Sequence, residues 1–452
     1  MAGIVGICRG GKINEIDRML SKISYRGKSG RALFHNKSCS LGVVWTNSQA
    51  PPLKMENHQI VLEDTGGDGR YVRIIFLDDD VILSRDPLGI APLYYGWNDD
   101  GLFIFASEVK PLLELTERVY ELLPGYTLKE KHVEQHFHFE NYPLIDCGLD
   151  QIARELHNLL NMSVQKCILT PDIGSWLSGG LDSSTIAVLA RPHLGTFHTF
   201  TAGVASAPDL YYAREIARYI GSTHHEIIVT PEDMIAILPE VIYHLESFDP
   251  WLVRSTLTNY LVARCASDYV HSVFSGEGGD ELFGGYEYLK SIPTEELSNE
   301  LFNITMCLHN TALQRVDRCA SAFGLVAFTP FLNPDVVQYA FRIPAPYKIR
   351  DQVEKWILRR AFQNELPQEV IHRKKAKFWE GAGIGEMMIS YAEEKISPSE
   401  FERERTLPNG WTLYSREELL FYRIFRDCFG DVSDLSWMGR TKTYVSNTGS
   451  EQ

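Results

Sequence analysis

The segment Ser178-Gly-Gly-Leu-Asp-Ser-Ser184 constrains this chain more than any other, because of what flanks it. An apolar run, Gly174 to Leu177, leads in, and Thr185-Ile-Ala-Val-Leu-Ala190 leads out as the first turns of a helix. A buried strand that turns through two glycines into a helix opens a strand–helix unit, and repeated units of that kind build a parallel sheet covered by helices on both faces. Gly179 and Gly180 let the backbone turn sharply, so that successive N–H groups face one point, with the partial positive charge of the helix N-terminus behind them. Ser178, Ser183 and Ser184 add hydroxyl donors, and the whole is suited to an anion. Asp182 would repel a phosphate unless a divalent cation stood between them, so a carboxylate in an anion loop points to magnesium. A polar turn with a serine helix cap accounts for the same composition without any ligand. Neither a Walker loop nor a dinucleotide fingerprint is present.

The pattern of the chain changes near residue 142. From Ile4 to about Phe139, short apolar runs (Leu41 to Trp45, Val72 to Phe76, Val81 to Leu83, Leu102 to Phe105) alternate with turn clusters such as Gly66-Gly-Asp-Gly69, which predicts an antiparallel β domain. One helical stretch, Lys12 to Ile23, interrupts it. Beyond Asn141 the periods lengthen: Leu149 to Lys166 reads as a helix, and Gly174–Leu177, Thr196–Val204, Thr223–Val229 and Val270–Phe274 read as strands separated by helices. From about Thr294 the chain reads as mainly helical. The expected division is 1–142, 143–440 and a flexible tail, 441–452.

A chain of 452 residues has room for two or three cores. Its net charge of -15 excludes a surface built to track a nucleic-acid backbone. No uncharged apolar run approaches the length of a membrane helix, and the N-terminus lacks the features of a secretory signal, so a cytoplasmic protein is expected. The eight cysteines (8, 39, 147, 167, 265, 307, 319 and 428) form neither a C-x-x-C pair nor a zinc-like cluster, and free thiols are the expectation.

A second glycine-rich segment, Phe274-Ser-Gly-Glu-Gly-Gly-Asp-Glu-Leu-Phe-Gly-Gly-Tyr286, again follows an apolar run. So many glycines and carboxylates are hard to explain by packing, since glycine weakens regular structure and clustered acids repel. Asp280 is placed to share a metal with Asp182, and Glu277 lies in a glycine-lined crevice at the carboxyl end of a strand, where doubly wound sheets bind ligands.

The first of these segments resembles the pyrophosphate loop of the ATP pyrophosphatase (PP-loop) superfamily. Together with Val241 to Asp249, Arg254, Tyr260, Thr329-Pro-Phe-Leu332, Val353 to Arg359 and Arg373-Lys-Lys-Ala-Lys-Phe378, they resemble the synthetase half of the asparagine synthetase family, from about Ile152 to Phe425. The resemblance implies an α/β chain that binds ATP and Mg2+, adenylates a small-molecule carboxylate and passes it to ammonia or an amine. It implies that Ser178, Gly179, Gly180, Asp182, Ser183 and Ser184 hold the pyrophosphate. Leu177, Val204 and Gly276 would frame the nucleotide, and Asp182 with Asp280 would hold magnesium. Glu277 would take a proton from the attacking ammonia. Lys375 matches the lysine that offsets charge on the α phosphate. No nucleic-acid or membrane partner is implied, and a homodimer is allowed.

The N-terminal third resembles the glutamine amidotransferase domain of the same enzymes, on Gly3-Ile-Val-Gly-Ile7, Tyr25-Arg-Gly27, Arg85-Asp-Pro-Leu-Gly-Ile90 and Ala106-Ser-Glu108. An Ntn-hydrolase-like αββα sandwich is therefore expected, in degenerate form. Where the family has its nucleophilic cysteine, this chain has Ala2, and a methyl group cannot attack glutamine. The family's Arg-Gly-Pro-Asp reads Arg26-Gly-Lys-Ser29, and its glutamine-gripping Asn-Gly-Glu segment is missing. Free ammonia or another amine is accordingly expected as nucleophile. The family's Glu-Ala-Arg-x-Pro-Phe-Leu-Asp reads Val326-Ala-Phe-Thr-Pro-Phe-Leu-Asn333. Two readings of that change stand: the lost charges served an aspartate pocket, so the acid is no longer aspartate, or they were a structural ion pair replaced as a unit. Asparagine formation is the leading reaction. Beside it stand the specialised relatives, namely β-lactam synthetases, lasso-peptide cyclases and amine-transferring enzymes, and a catalytically silent nucleotide-binding protein.

Overall fold

In the computed structural model, which describes residues 3–10, 13–35, 39–46, 51–56, 59–77, 80–140, 142–373 and 385–441, the alternation legible in Tyr71–Phe76 becomes a two-sided strand. Val72, Ile74 and Phe76 turn inward between two six-stranded antiparallel sheets. One sheet runs, in spatial order, Val119–Glu121, Tyr94–Trp97, Phe103–Ala106, Gly3–Cys8, Cys39–Trp45 and Gly30–His35. The other runs His132–Gln135, Tyr126–Lys129, Val81–Arg85, Tyr71–Phe76, Gln59–Thr65 and Leu53–Glu56. Ile4, Leu41 and Val43 of the first meet Leu62, Ile74 and Leu83 of the second. The helix Ile13–Ser21 lays Ile16, Met19 and Leu20, one helical face by spacing, on the outer side of the first sheet against Val5, Ile7 and Val44. This is the sandwich in degenerate form, with that helix on the outer face of the first sheet and Arg318 stacked over Tyr94 elsewhere on it.

The expectation of eight free thiols is corrected here. Gly3–Cys8 pairs with Cys39–Trp45 in a register that sets Cys8 opposite Cys39, with Cα atoms 4.1 Å apart, and the two form a disulfide. Spacing along the chain does not reveal such a pair; strand register does. Cys147, Cys167, Cys265, Cys307, Cys319 and Cys428 are free.

Beyond residue 149 a five-stranded parallel sheet forms in the order Thr223–Ile228, His198–Gly203, Ile173–Trp176, Ser272–Phe274, Val326–Phe328. Numbered along the chain that order is 3-2-1-4-5, so the sheet reverses its direction of growth between Ile173–Trp176 and Ser272–Phe274. Alternate residues feed two cores. Val273 and Ala327 face the side covered by Pro250–Ala266 and Arg416–Phe429, whereas Ile173, Phe274 and Phe328 face the side covered by Leu149–Cys167 and Leu181–Ala190. A side chain buried as fully as Phe274 contributes about 1.5–3 kcal/mol. Four of these strands match the sequence expectation. The fifth, Val326–Phe328, lies where a mainly helical region was expected. No helix among the described residues is long and apolar enough to cross a membrane. Residues 442–452 of the expected tail lie outside the described residues, while Thr441 is held by Asp249, its N–H donating to Oδ2 at 2.9 Å.

A buried ionic cluster joins the sandwich to the parallel-sheet part. Arg26, wholly buried, donates to Glu108 Oε1 at 2.6 Å, to both oxygens of Asp317 at 2.7 and 2.9 Å, and to Ser321 Oγ at 2.9 Å. Arg318 donates to Glu246 at 2.9 Å, and Glu246 also accepts the backbone N–H groups of Val109 and Lys110. Nearby, Glu121 takes Arg85 and His309, each at 2.7 Å. Burial alone would raise the Glu121 carboxyl, but His309 and Arg85 outweigh it and hold the group at about 2. Because the folded value lies below the ordinary 4.5, this carboxylate stabilises the fold above that pH and the contribution is lost as pH falls from 4.5 toward about 2. Denaturant titrations at stepped pH are expected to show that loss, and Glu121→Gln should flatten it.

Candidate active site

Both glycine-rich loops arise where the parallel sheet reverses. Ser178 to Ser184 follows Ile173–Trp176, and Gly276 to Asp280 follows Ser272–Phe274, its parallel neighbour. Crevices of doubly wound sheets open at that place. Leu177 is buried, with its N–H bonded to Phe200 O at 2.8 Å. Val204 follows His198–Gly203, the strand on the other side. Leu177, Val204 and Gly276 thus stand at the carboxyl ends of three adjacent strands.

The first loop is held by its own hydroxyls. Ser178 Oγ and Ser183 Oγ are 3.1 Å apart, and Ser178 N–H donates to Ser183 Oγ at 3.2 Å. Gly179 has φ +67°, and a Cβ there would stand 2.4 Å from the backbone N of Ala213, so both conformation and space require glycine. Gly180 begins the helix without a side-chain cap, so the serines bond within the turn and do not cap the helix. Ser184 Oγ is fully buried in the first turns of that helix with no hydrogen-bond partner among the described residues. Buried hydroxyls are normally paired, so an orphan in the first turns of a helix fits an anion site.

The second loop presses against the first. A Cβ on Gly279 would stand 2.5 Å from Asp182 Cγ, so only glycine lets the two acidic segments approach. Asp182 and Asp280 are indeed brought together, and a cation joins them: Lys355 Nζ hydrogen-bonds Asp182 Oδ2 and lies 2.6 Å from Asp280 Oδ1. The Lys355 ammonium thus stands where a cation shared by the two carboxylates would. No group of three or more metal-ligating side chains occurs among the described residues. Two carboxylates with remaining positions left to phosphate and water suit magnesium, which seldom takes an all-protein cage.

Glu277 stands in the crevice, as expected, but in company that was not: Arg315, from the helix Ala312–Ser321, pairs with its Oε1. Behind it Glu281, buried, accepts the Tyr286 hydroxyl, and burial, then Asp280 and Glu277, push its carboxyl up to about 7. Arg373 donates to Ser178 O at 3.2 Å, pairs with Asp209 and stacks 4.0 Å over Tyr212. Lys375 lies outside the described residues. Lys355 stands inside a segment quoted for its resemblance, yet neither it nor Arg315 carries a motif of its own.

The substituted stretch Val326 to Asn333 has a partner from the other half of the chain. Arg70 stacks 4.8 Å over the Phe328 ring and donates to Ala327 O, while Asp68 accepts Thr329 N–H at 2.9 Å and pairs with Arg70. The hairpin tip Gly66 to Arg70 thus brings a buried acid–base pair to the place where two family charges are missing. That arrangement favours the reading of the lost charges as structural.

A family model described as asparagine synthase matches residues 155–303 and 293–443, and one described as a glutamine amidotransferase domain matches residues 66–114. A glutamine-hydrolyzing asparagine synthetase of Sandersonia aurantiaca is 35% identical over 398 residues, covering 82% of this chain and 75% of its own. One from Arabidopsis thaliana is 34% identical over 391 residues, covering 80% of this chain and 67% of its own. Against one from Oryza sativa subsp. japonica the chain is 35% identical and spans 61% of the relative's length. Among solved structures, an NMN synthetase from Francisella tularensis overlays at a TM-score of 0.30 and 13% identity, covering 64% of this chain and 98% of that one, too loosely to carry weight. The paired loops at the sheet reversal and the family match that spans both of them have one conclusion: this chain belongs to the asparagine synthase family.

Proposed function

We propose that the chain is an ATP-dependent ligase that adenylates a carboxylic acid and transfers the acyl group to ammonia or an amine. The observation that carries this is the joining of Asp182 and Asp280 by one cation beside the glycine loop. In the first step a carboxylate oxygen of the acid attacks the α phosphorus of ATP, and the bond to pyrophosphate breaks. The loop Ser178 to Ser184 holds the leaving pyrophosphate at a helix N-terminus, with the Ser184 hydroxyl as a further donor and the loop's internal hydroxyl bonds fixing its shape. Leu177, Val204 and Gly276 frame the nucleotide. Magnesium held by Asp182 and Asp280 would offset negative charge on the phosphates. Lys375 is assigned to the same charge by its match to the family. In the second step nitrogen attacks the acyl carbon, AMP leaves, and Glu277 takes the proton that the nitrogen sheds.

The nitrogen source is ammonia or an amine and not glutamine. Alanine precedes Gly3 where the family has cysteine, and Arg26 is engaged by Glu108 and Asp317 inside the interdomain cluster. Asparagine formation from aspartate is the leading reaction, supported by Glu277 and by the structural replacement at Phe328. The division at residue 142 and a cytoplasmic setting belong to the same proposal.

Pyrophosphate release is the measurement that tests it, with ATP, Mg2+ and ammonium across a panel of carboxylic acids. The expected result is release that depends on one class of acid, with amide formed only when the amine is present. No turnover with any acid would reduce the chain to a nucleotide-binding protein, and glutamate released from glutamine would overturn the choice of nitrogen.

A further inference from the structure

Lys355 is held with unusual care for a side chain outside the two loops. Its backbone has φ +55°, and it follows a tight hairpin in which Asp351 and Gln352 also have positive φ, with Arg350 and Val353 exchanging hydrogen bonds at 3.0 and 2.8 Å. Left-handed backbone at three non-glycine residues costs free energy that the surroundings must offset, and such clusters mark functional places. The Lys355 N–H donates to Phe283 O at 3.2 Å, which ties it to the helix Gly279–Phe283 that bears Asp280. The preceding residue, Glu354, is fixed by Arg359 at 2.6 Å and Lys290 at 3.3 Å. The side chain is 3% exposed, and its tip lies between the two carboxylates.

An ammonium in that position competes with a divalent cation for the same oxygens, because both cannot stand within bonding distance of them without strong mutual repulsion. We infer that Lys355 is a resident counter-cation that keeps the Asp182–Asp280 pair closed to free divalent metal, so that metal enters with the nucleotide. The inference rests on the ligase reading above. Its physical basis is an exchange: phosphate oxygens supply the additional ligands that a metal needs to outcompete the lysine, and they give the displaced ammonium a new anionic partner in the same crevice. Lys355 is thereby a positioning residue. It holds two like charges together while no metal is there.

Mn2+ is the probe. Titration of the ligand-free full chain, followed by the paramagnetic resonance signal of free Mn2+, is expected to show binding at least about tenfold tighter in Lys355→Met than in wild type. Adding Asp280→Asn to Lys355→Met should abolish the gain and so locate it. Equilibrium dialysis with ATP should bring Mn2+ and ATP together onto the wild-type protein. If Lys355→Met does not fold alone, Mn2+ should restore its circular dichroism, and failure to restore it overturns the inference. Equal Mn2+ affinity of wild type and Lys355→Met, with ATP still bound in dialysis, sinks the inference and leaves the ligase reading standing. Wild-type protein that retains no ATP sinks both.

Discussion

Arg26→Met is expected to cost about 3–5 kcal/mol of folding stability at pH 7, a penalty typical of removing one member of a buried ionic group. Its guanidinium is wholly buried and spans both halves of the chain, reaching Glu108 on one side and Asp317 and Ser321 on the other. Methionine replaces the stem but not the charge, and two carboxylates then keep fewer cations than they need. Lys110 still pairs with Glu108, and Arg318 with Asp317 at 2.7 Å, which places the cost toward the lower end of that range. The pH dependence distinguishes this from lost packing. In the wild type, burial would raise Glu108, but Lys110, Arg318 and Arg26 hold it well below its ordinary value, and Asp317 is likewise lowered against burial by Arg26 and Arg318. Those contributions are complete above the ordinary carboxylate range and fade as pH falls through it. In the variant both carboxylates gain a proton more readily in the folded state, so the difference from wild type should shrink from pH 7 to pH 4. Urea unfolding of the two proteins across that range measures it; a pH-independent difference would mean that packing, not charge, was lost.

The retained sandwich has a physical role in this picture. The helix Ala312–Ser321 presents Asp317, Arg318 and Ser321 to the interdomain cluster and Arg315 to Glu277. One helix thus connects the sandwich to the crevice, and the sandwich seats that helix. The hairpin Gly66 to Arg70 does the same for Val326 to Asn333. The contacts of the sandwich with that helix and with Val326 to Asn333 are structural whether or not it cleaves glutamine.

What was legible in the sequence was local. Period and punctuation mark Tyr71–Phe76, Leu149–Cys167 and Ile173–Trp176, and the glycines mark a sharp turn in the first loop and a cluster that packing does not explain in the second. Val326–Phe328 escaped because three apolar residues in a helical region carry no period of their own, and what makes them a strand is the free edge of Ser272–Phe274. Cys8 and Cys39 escaped because register, not spacing, brings them together. Lys355 and Arg315 are ordinary basic residues in sequence; their meaning comes from the carboxylates that the fold sets beside them. Asp68 and Arg70 read as turn residues until the hairpin tip is seated on Phe328.

Glu277→Gln is expected to separate the two chemical steps. The side chain keeps its shape, and its amide oxygen can still accept from Arg315, so the crevice should persist. An amide cannot take the proton that nitrogen loses on attacking the acyl carbon, and losing a positioned base costs about 10²–10⁴ in rate. Adenylation makes no such demand, because the acid already enters as its carboxylate. Acid-dependent exchange of labelled pyrophosphate into ATP should therefore stay within about threefold of wild type, while amide formation falls by at least about a hundredfold. The comparison also tests the role of Arg315. If Arg315 serves to aim Glu277, Arg315→Met should slow amide formation in the wild-type background and have little further effect once Glu277 is glutamine, since residues that act as a unit are not additive. A Glu277→Gln protein that makes amide at the wild-type rate would instead assign the proton to another acceptor. Glu281, buried beside Asp280 on the same short helix, would be the first to examine.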